Sequence, residues 1–267
     1  MALGDRLLLL SKFNDILFKV VDTTTGISPH GLHKSNIPIF ALLEPSIHLN
    51  IKAKSLLPSD FQLIDIDHFL AFTVDHVLSD NESDALADFS RFLGFMDEAP
   101  GIYTPPGMRL NSAVHWIATR DMMDAVCETI YPFIPKFIDG STFAGLLSHR
   151  LNIYRYLGSN QQFKPHVDGE WPGYYFDTEL SALNTWNGLT SKLSMLIYLT
   201  NHSSDSAVTR LYSCNKFVDI APTKGSALFF RHGTSPSSVL HSGQPPLHSH
   251  EEKIVIRVNV MYRNATQ

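Results

Sequence analysis

"YRYLGSNQQFKPHVDGEWPG" (residues 154–173) places two metal-capable side chains at the end of a polar turn. The stretch begins with the aromatic residues of a predicted strand, and its Gly, Asn, Gln and Pro residues are typical of a turn. Residues i and i+2 of an extended segment point to the same side, so His166 and Asp168 can reach one ion while Val167 points away. Alone, the pair is weak evidence for a metal, because polar residues at turns often hydrogen-bond to the backbone instead.

A third ligand is available further along the chain. His241 lies in "SVLHSGQPPL", just after a predicted apolar strand. Two histidines and one carboxylate form a facial triad, which leaves three positions of an octahedral iron(II) open for a bidentate cosubstrate and for O2. The combination of His166, Asp168 and His241 therefore predicts an iron site.

The strand "KIVIRVNVMYR" (residues 253–263) carries two cations on one face. Lys253 and Arg257 alternate with the apolar Ile254 and Ile256, which are typical of a core-facing side. If the basic face lines the protein interior, the buried charges need a partner, and a dicarboxylate cosubstrate would supply one. A basic face in contact with solvent is the alternative.

The rest of the chain predicts the fold class. "SDNESDALADFSRFLGF" shows helical spacing, with Ser79 and Asp80 as candidate N-caps, and residues 119–138 predict a second helix whose end Pro132 and Pro135 disturb. From residue 150 onward, short β-branched and aromatic runs are separated by turn signals. We therefore expect an α+β protein in which helices flank a double-stranded β-helix, the cupin-like jelly roll. Residues 1–58 are predicted to be an N-terminal extension packed on a domain of residues 59–267.

Composition limits the partners and the compartment. The chain has 267 residues, a formal net charge of −5 and no long basic run, which disfavours nucleic acid as a partner. Its two cysteines, Cys127 and Cys214, show no metal-ligand spacing, so we expect no disulfide and a reducing compartment. The N-terminal leucine run is too short for a membrane span. We expect a soluble cytoplasmic protein with no membrane association; the oligomeric state is not readable from these patterns.

Taken together, these segments resemble the iron(II)- and 2-oxoglutarate-dependent dioxygenases, specifically the prolyl 4-hydroxylase-like branch. The likeness covers roughly residues 60–263 and rests on the order and spacing of four segments. They are "YRYLGSNQQFKPHVDG", "KLSMLIYLT", "FVDIAPTKGSALFF" and "LHSGQPPLHSHEEKIVIRVNVMYR". Two features depart from the family pattern: the usual Gly-Gly-x-Thr signature keeps only Thr209, and "HSHEEK" replaces a glycine before the basic strand.

The resemblance implies roles for individual residues. His166, Asp168 and His241 would bind Fe(II). Tyr156 and Tyr198 would border 2-oxoglutarate, whose distal carboxylate would pair with Lys253, with Arg257 as the rival for that role. His232 is a further polar candidate near the site, in a supporting rather than a ligating role.

The same resemblance implies a reaction. A hydroxylase of this type consumes 2-oxoglutarate and O2, with ascorbate as a supporting reductant, and releases succinate and CO2. The substrate is unidentified and is either a protein residue such as proline or a small molecule. Segment 169–188 is predicted to be a lid over it, with "HWIATR" (115–120) as a second substrate-facing segment. The candidate substrate-contacting residues of the lid are Trp171, Tyr174, Tyr175 and Trp186.

Two other classes of function stay open at this point. A catalytically inactive protein could bind the metal and 2-oxoglutarate on the same scaffold. A cupin-like metalloenzyme of different chemistry, such as an isomerase or lyase, would need the triad but not Lys253 or Arg257.

Overall fold

The computed structural model describes residues 9, 12–99, 101 and 103–264. Most of the N-terminal leucine run lies outside this part of the chain. None of the helices among the described residues combines the length and the apolar character needed to cross a membrane. Cys127 is buried and Cys214 is exposed, and both are free thiols.

The described residues form a mostly β structure with few helices. The helices are α1 (Asp80–Leu93) and α2 (Arg120–Ile130), with short 3-10 turns at Ile47–Leu49, Pro58–Asp60 and Tyr131–Phe133. The strands are β1 (Phe18–Ile27), β2 (His33–Leu42), β3 (Phe61–Leu63), β4 (Ala71–Val74), β5 (Ser112–Ile117), β6 (Phe137–Ile138), β7 (Ser141–Leu147), β8 (Arg150–Leu157), β9 (Phe163–His166), β10 (Tyr175–Asp177), β11 (Ala182–Asn184), β12 (Leu189–Tyr198), β13 (Thr209–Tyr212), β14 (Phe217–Ile220), β15 (Ala227–Arg231), β16 (Leu240–Gly243) and β17 (Glu252–Arg263).

Two sheets carry most of these strands. The main sheet has the order β1-β2-β5-β8-β17-β12-β15-β4-β3, with β7 also paired to β17 and β6 paired to β7. The minor sheet has the order β14-β13-β16-β9, and β10 and β11 form a separate hairpin. Strands β1 and β2 join the main sheet through the parallel pairing of β2 with β5. The domain boundary near residue 58 stays a prediction.

Helix α1 begins where its capping signal predicts. The Ser79 hydroxyl accepts a hydrogen bond from the Glu82 amide (3.3 Å), and the Glu82 carboxylate accepts one from the Ser79 amide (2.7 Å). Each partner satisfies an amide that the first helical turn leaves free, which is a capping box.

Helix α2 is shorter than predicted. It ends at Ile130 rather than near residue 138, and the chain continues into the Tyr131–Phe133 turn and then into β6. Pro132 has no amide hydrogen to donate and its ring crowds the preceding turn, so the two prolines end the helix instead of only disturbing it.

Strand β17 separates two cores. Its even-numbered residues, such as Ile254 and Ile256, pack in a cluster that also contains side chains of α1 and α2. Its odd-numbered side lies between the two sheets, where Val255 joins a second cluster. Lys253 and Arg257 are 1% and 5% exposed, so the alternative of a basic face in contact with solvent is wrong. The polar site lies in this inter-sheet space.

Candidate metal centre

His166 and His241 lie side by side on two adjacent strands of the minor sheet. His166 ends β9 and is the ladder partner of His241 in β16, which brings the two ring centroids to 4.3 Å. Asp168 follows two residues after His166, and its Oδ1 lies 3.6 Å from His166 Nε2 while its Oδ2 lies 3.8 Å from His241 Nε2. One ligand atom from each of the three residues lies within 4.8 Å of the others. The structure therefore brings the predicted triad together.

Backbone carbonyls orient both imidazoles. His166 Nδ1 lies 2.7 Å from the Lys164 carbonyl, and His241 Nδ1 lies 3.2 Å from the Val239 carbonyl. A carbonyl only accepts, so Nδ1 is the donor in each ring, and Nε2 is the nitrogen that faces Asp168. Burial lowers the pKa of His241 to about 3, which keeps its ring neutral. Both Nε2 atoms are thus free to act as ligands.

The Asp168 carboxylate is held as an anion. Ser194 Oγ donates a hydrogen bond to its Oδ2 at 2.6 Å, and Arg257 forms an ion pair with the same oxygen, with its Nε 2.9 Å away. Burial alone would raise the pKa of Asp168, but the charge of Arg257 and the interactions with His241 and His166 outweigh it and hold the pKa well below its usual range. The carboxylate is therefore ready to bind a cation.

Behind Ser194 lies a buried chain of hydrogen bonds. His232 Nδ1 is 2.8 Å from Ser194 Oγ, and His232 Nε2 is 2.8 Å from Ser191 Oγ. Ser194 donates to Asp168, so it accepts from His232 Nδ1–H, and His232 Nε2 accepts from Ser191. Burial lowers the pKa of His232 to about 3, which keeps the ring neutral and able to play both parts. His232 thus lies in the supporting position that the sequence suggested.

The other end of the inter-sheet space is built around Lys253. Its Nζ lies 5.0 Å from the Tyr156 ring and 5.9 Å from the Tyr198 ring, and its hydrogen bond goes to the Val208 carbonyl at 3.4 Å. Burial lowers the pKa of Lys253 to about 7. The Tyr198 hydroxyl donates to Thr209 Oγ1 at 2.9 Å. Among the described residues no carboxylate lies within ion-pair distance of Lys253.

Lys253 and Arg257, rivals in the sequence analysis, occupy different surroundings. Arg257 is engaged with the triad carboxylate, whereas Lys253 lies among the aromatic rings of Tyr156 and Tyr198. Both line the cavity that contains the triad. The geometry therefore favours Lys253 over Arg257 as the partner of a distal carboxylate.

The four aromatic residues predicted to contact substrate separate into two pairs. Trp171 borders an open cleft of about 350 Å³ that also contacts His166 and Asp168. Tyr174 and Trp171 line a smaller polar space beside Arg257. Tyr175 and Trp186 border another cavity, which shares no lining residue with the metal centre.

The two substrate-facing segments also differ from their predicted form. Segment 169–188 contains the hairpin of β10 and β11 rather than being irregular throughout. In the segment 115–120, Trp116 is fully buried in the core beside the helices, and Arg120 borders the cavity of Tyr175.

Two residues that belong to this centre, Tyr154 and Ser194, were not predicted from the sequence. Tyr154 lines both the triad cavity and the open cleft, and it lies two residues before Tyr156 on the same face of β8. Strand alternation could have found it. Ser194 shares a face of β12 with Tyr198, but a lone serine in an apolar strand carries no signal of its own.

The residues present fit an iron(II) ion and a dicarboxylate. Two imidazoles and one carboxylate converge, the ligand set of a facial triad. In the same cavity, the buried Lys253 ammonium lacks a carboxylate partner among the described residues, which an anionic cosubstrate would supply.

Comparison with known proteins agrees with this geometry. Residues 151–261 match the family model of the 2OG-Fe(II) oxygenase superfamily, which confirms the resemblance seen in the sequence for this part of the chain. No match is found among curated proteins.

Two prolyl hydroxylases are among the solved structures that this chain matches. The viral collagen prolyl hydroxylase of Paramecium bursaria Chlorella virus-1, solved with 2-oxoglutarate, is 18% identical over 74% of this chain and 99% of its own, with a TM-score of 0.49. A Pseudomonas putida prolyl-4-hydroxylase is 14% identical over 73% of this chain and 93% of its own, with a TM-score of 0.44.

Proposed function

We propose that this chain, whose residues 151–261 belong to the 2OG-Fe(II) oxygenase superfamily, is an Fe(II)- and 2-oxoglutarate-dependent dioxygenase that hydroxylates a protein residue or a small molecule. The observation that carries the proposal is the pairing, in one cavity, of the His166–Asp168–His241 triad with the buried Lys253. We further infer that the main and minor sheets close into a double-stranded β-helix around this cavity.

Each part of the cavity has a distinct task in this proposal. His166, Asp168 and His241 would hold the iron, and Lys253 would bind the distal carboxylate of 2-oxoglutarate between the rings of Tyr156 and Tyr198. When bound, iron, 2-oxoglutarate and O2 supply the oxidising power for hydroxylation, with succinate and CO2 as coproducts.

The protein itself supplies position and a dry environment. The hydrogen bond from Ser194 and the ion pair with Arg257 fix the orientation of the Asp168 carboxylate before any ion arrives. Burial of Lys253 makes an unpaired ammonium costly, so a carboxylate bound there relieves that cost. The binding energy of the cosubstrate is thereby directed to one orientation.

The substrate would enter through the open cleft beside the triad. Its walls are largely apolar and aromatic, with Tyr103, Met108, Val167 and Trp171 around the approach to His166. Such walls suit an uncharged, partly apolar group at the site of reaction. Segment 169–188, which begins directly after Asp168, is proposed as the lid.

Turnover with a substrate panel tests the proposal. The full-length protein is incubated with iron(II), ascorbate and 2-oxoglutarate against peptides and metabolites, and products are scored by mass for a gain of one oxygen and by succinate release. His166→Ala should abolish both signals. Metal affinity, measured with Mn²⁺ in the absence of 2-oxoglutarate, should fall in the same variant.

The alternatives give different results. Binding of Mn²⁺ and 2-oxoglutarate without succinate release under any condition would identify an inactive binding protein. Metal binding with no affinity for 2-oxoglutarate would point to a cupin-like metalloenzyme of other chemistry. Product formation by His166→Ala would refute the triad.

A further inference from the structure

A large cavity of the described structure is separate from the metal centre. It has a volume of about 580 Å³ and lies between the end of β2, the N-terminal end of α2 and the β10–β11 hairpin. None of its lining residues lines the triad cavity or the open cleft. The volume suits a small molecule or a side chain with its flanking backbone.

One wall of this cavity is aromatic. The rings of Tyr175 and Trp186 stack with centroids 5.0 Å apart and an interplanar angle of 23°. Trp186 also meets the His149 ring edge-on at 5.2 Å. The stacked pair offers a flat, electron-rich surface of the kind that planar cations bind.

His149 contributes a polar group without a hydrogen-bond partner. Its side chain is 7% exposed and lines the cavity, and its ring takes part in none of the side-chain hydrogen bonds found among the described residues. Burial, and then the charge of Arg120, lower the pKa of His149 to about 4, so the ring is neutral and can accept a hydrogen bond.

A second unpartnered acceptor lies at the start of α2. Thr119 is the N-cap residue of this helix, but its side chain makes no capping bond, and its buried hydroxyl oxygen has no hydrogen-bond partner in the described structure. Thr119 also lines the cavity. Because the Thr119 oxygen is closed to the cavity, a bound ligand does not reach it, and the His149 ring is the neutral acceptor that a hydrogen-bond donor in the cavity would meet.

The charged residues that line the cavity indicate which charge the ligand carries. Asp121, Asp177 and Glu179 line the cavity, and none of them forms an ion pair with the described residues. Two positive features also border it: the N-terminus of α2, and Arg120, which is 79% exposed and directed to Asp124 at 3.5 Å. Three carboxylates against one engaged arginine leave the cavity with an excess of negative charge.

We propose that this cavity binds a guanidinium group, stacked on the aromatic wall of Trp186 and Tyr175 and hydrogen-bonded to His149 and the carboxylates. A guanidinium is planar, cationic and rich in N–H donors, which matches the flat wall, the negative charge and the neutral His149 acceptor. An ammonium group would match the charge but not the wall. The proposal is independent of turnover at the metal centre, because the two sites share no residue.

Calorimetric titration of the full-length protein in EDTA tests this binding site. The probes are acetyl-Gly-Arg-Gly-amide, the same peptide with citrulline, the same peptide with lysine, and N-ethylguanidinium. We expect the arginine peptide to bind about fivefold or more tightly than the uncharged, isosteric citrulline peptide, and more tightly than the lysine peptide. Tighter binding of the peptide than of N-ethylguanidinium indicates a peptide ligand, and the reverse indicates a small guanidine compound.

Variants locate the site. Glu179→Gln removes one exposed carboxylate and should weaken the arginine peptide about two- to fivefold. Trp186→Leu should remove most of the preference for arginine over lysine. Glu128→Gln, on an exposed position of the same helix α2 outside the cavity, makes the same charge change and should have no effect.

Two results would overturn the proposal. One is equal binding of the arginine and citrulline peptides, which would mean that charge is not recognised. The other is an arginine affinity that Glu179→Gln and Glu128→Gln leave equally unchanged, which would place any binding elsewhere on the surface. Glu179 is exposed, so its variant is not expected to disturb folding.

Discussion

Arg257 Nε lies 2.9 Å from Asp168 Oδ2, so a cation of the protein already touches the carboxylate that would receive the metal. Without an ion, this contact compensates a buried negative charge. A bound metal ion would compensate the same charge from the other side. The pair thus links the stability of the metal-free protein to the strength of metal binding.

We predict that Arg257→Gln destabilises the metal-free protein by about 3–5 kcal/mol, because Asp168 loses its charge partner in a buried setting. Mn²⁺ should then replace the lost positive charge, so the rise in Tm on adding Mn²⁺ should be larger in the variant than in the parent. Thermal unfolding in EDTA and in Mn²⁺ measures both quantities. An equal or smaller metal-induced rise would show that Arg257 does not compensate Asp168.

Lys253 should make stability depend on pH. Its folded pKa of about 7 lies below the value near 10.4 of an unfolded lysine, so the unfolded state holds more protons between these limits. The cost of burying the charge is therefore complete below about pH 7 and disappears as the pH rises towards 10.4. Lys253→Met should stabilise the cosubstrate-free protein more at about pH 6 than at about pH 9, as measured by urea unfolding.

The same variant should lose 2-oxoglutarate binding while keeping its affinity for Mn²⁺. Lys136→Met, at an exposed position, is the matched control and should change neither stability nor binding. Undiminished 2-oxoglutarate affinity in Lys253→Met would exclude Lys253 as the partner of the distal carboxylate.

Ser194→Ala should lower metal affinity by about tenfold, the usual cost of removing a group that orients a metal ligand. The variant loses the 2.6 Å hydrogen bond to Asp168 and disconnects His232 from the carboxylate. Titration with Co²⁺, followed by its visible spectrum, measures the change. Ser90→Ala removes a buried serine of α1 that bonds only within its helix, and should leave metal affinity intact.

Gly243→Ala should damage the cosubstrate cavity through one contact. A Cβ at position 243 would collide with the Tyr156 hydroxyl and lie 2.8 Å from Tyr156 Cζ, and the φ of Gly243 is not positive, so the backbone itself tolerates alanine. We expect a loss of about 1–3 kcal/mol of stability, accompanied by weaker 2-oxoglutarate binding. In a Tyr156→Ala background the added methyl should cost much less. If the changes in unfolding free energy of Gly243→Ala and Tyr156→Ala were additive, the proposed collision between these residues would be wrong.

The sequence predicted the parts of the site that depend on strand periodicity. The i, i+2 spacing of His166 and Asp168, and the alternation that puts Lys253 and Arg257 opposite Ile254, follow from the geometry of one strand. The structure places these residues as that spacing requires. Their roles as ligands and cosubstrate partners stay predictions.

What the sequence could not provide is set by contacts between distant segments. The pairing of Arg257 with Asp168, and the link from Ser194 to His232, join strands that lie apart in the chain. For a similar reason, the sequence did not predict that the aromatic residues of the lid segment border separate cavities. Tyr174 and Tyr175 are neighbours, yet they border different spaces, and local composition carries no sign of that division.

Strand β17 is buried on both sides, but the two sides are chemically opposite. If the strand paired one residue out of step, Lys253 and Arg257 would enter the apolar core beside the helices, and Ile254 and Ile256 would replace them opposite the triad. Moving Lys253 and Arg257 into that core would be costly, because buried charges without partners are among the most unfavourable arrangements in a protein. The residues proposed to hold the cosubstrate therefore also help to specify the register of β17, because the shifted pairing would bury both of their charges without partners.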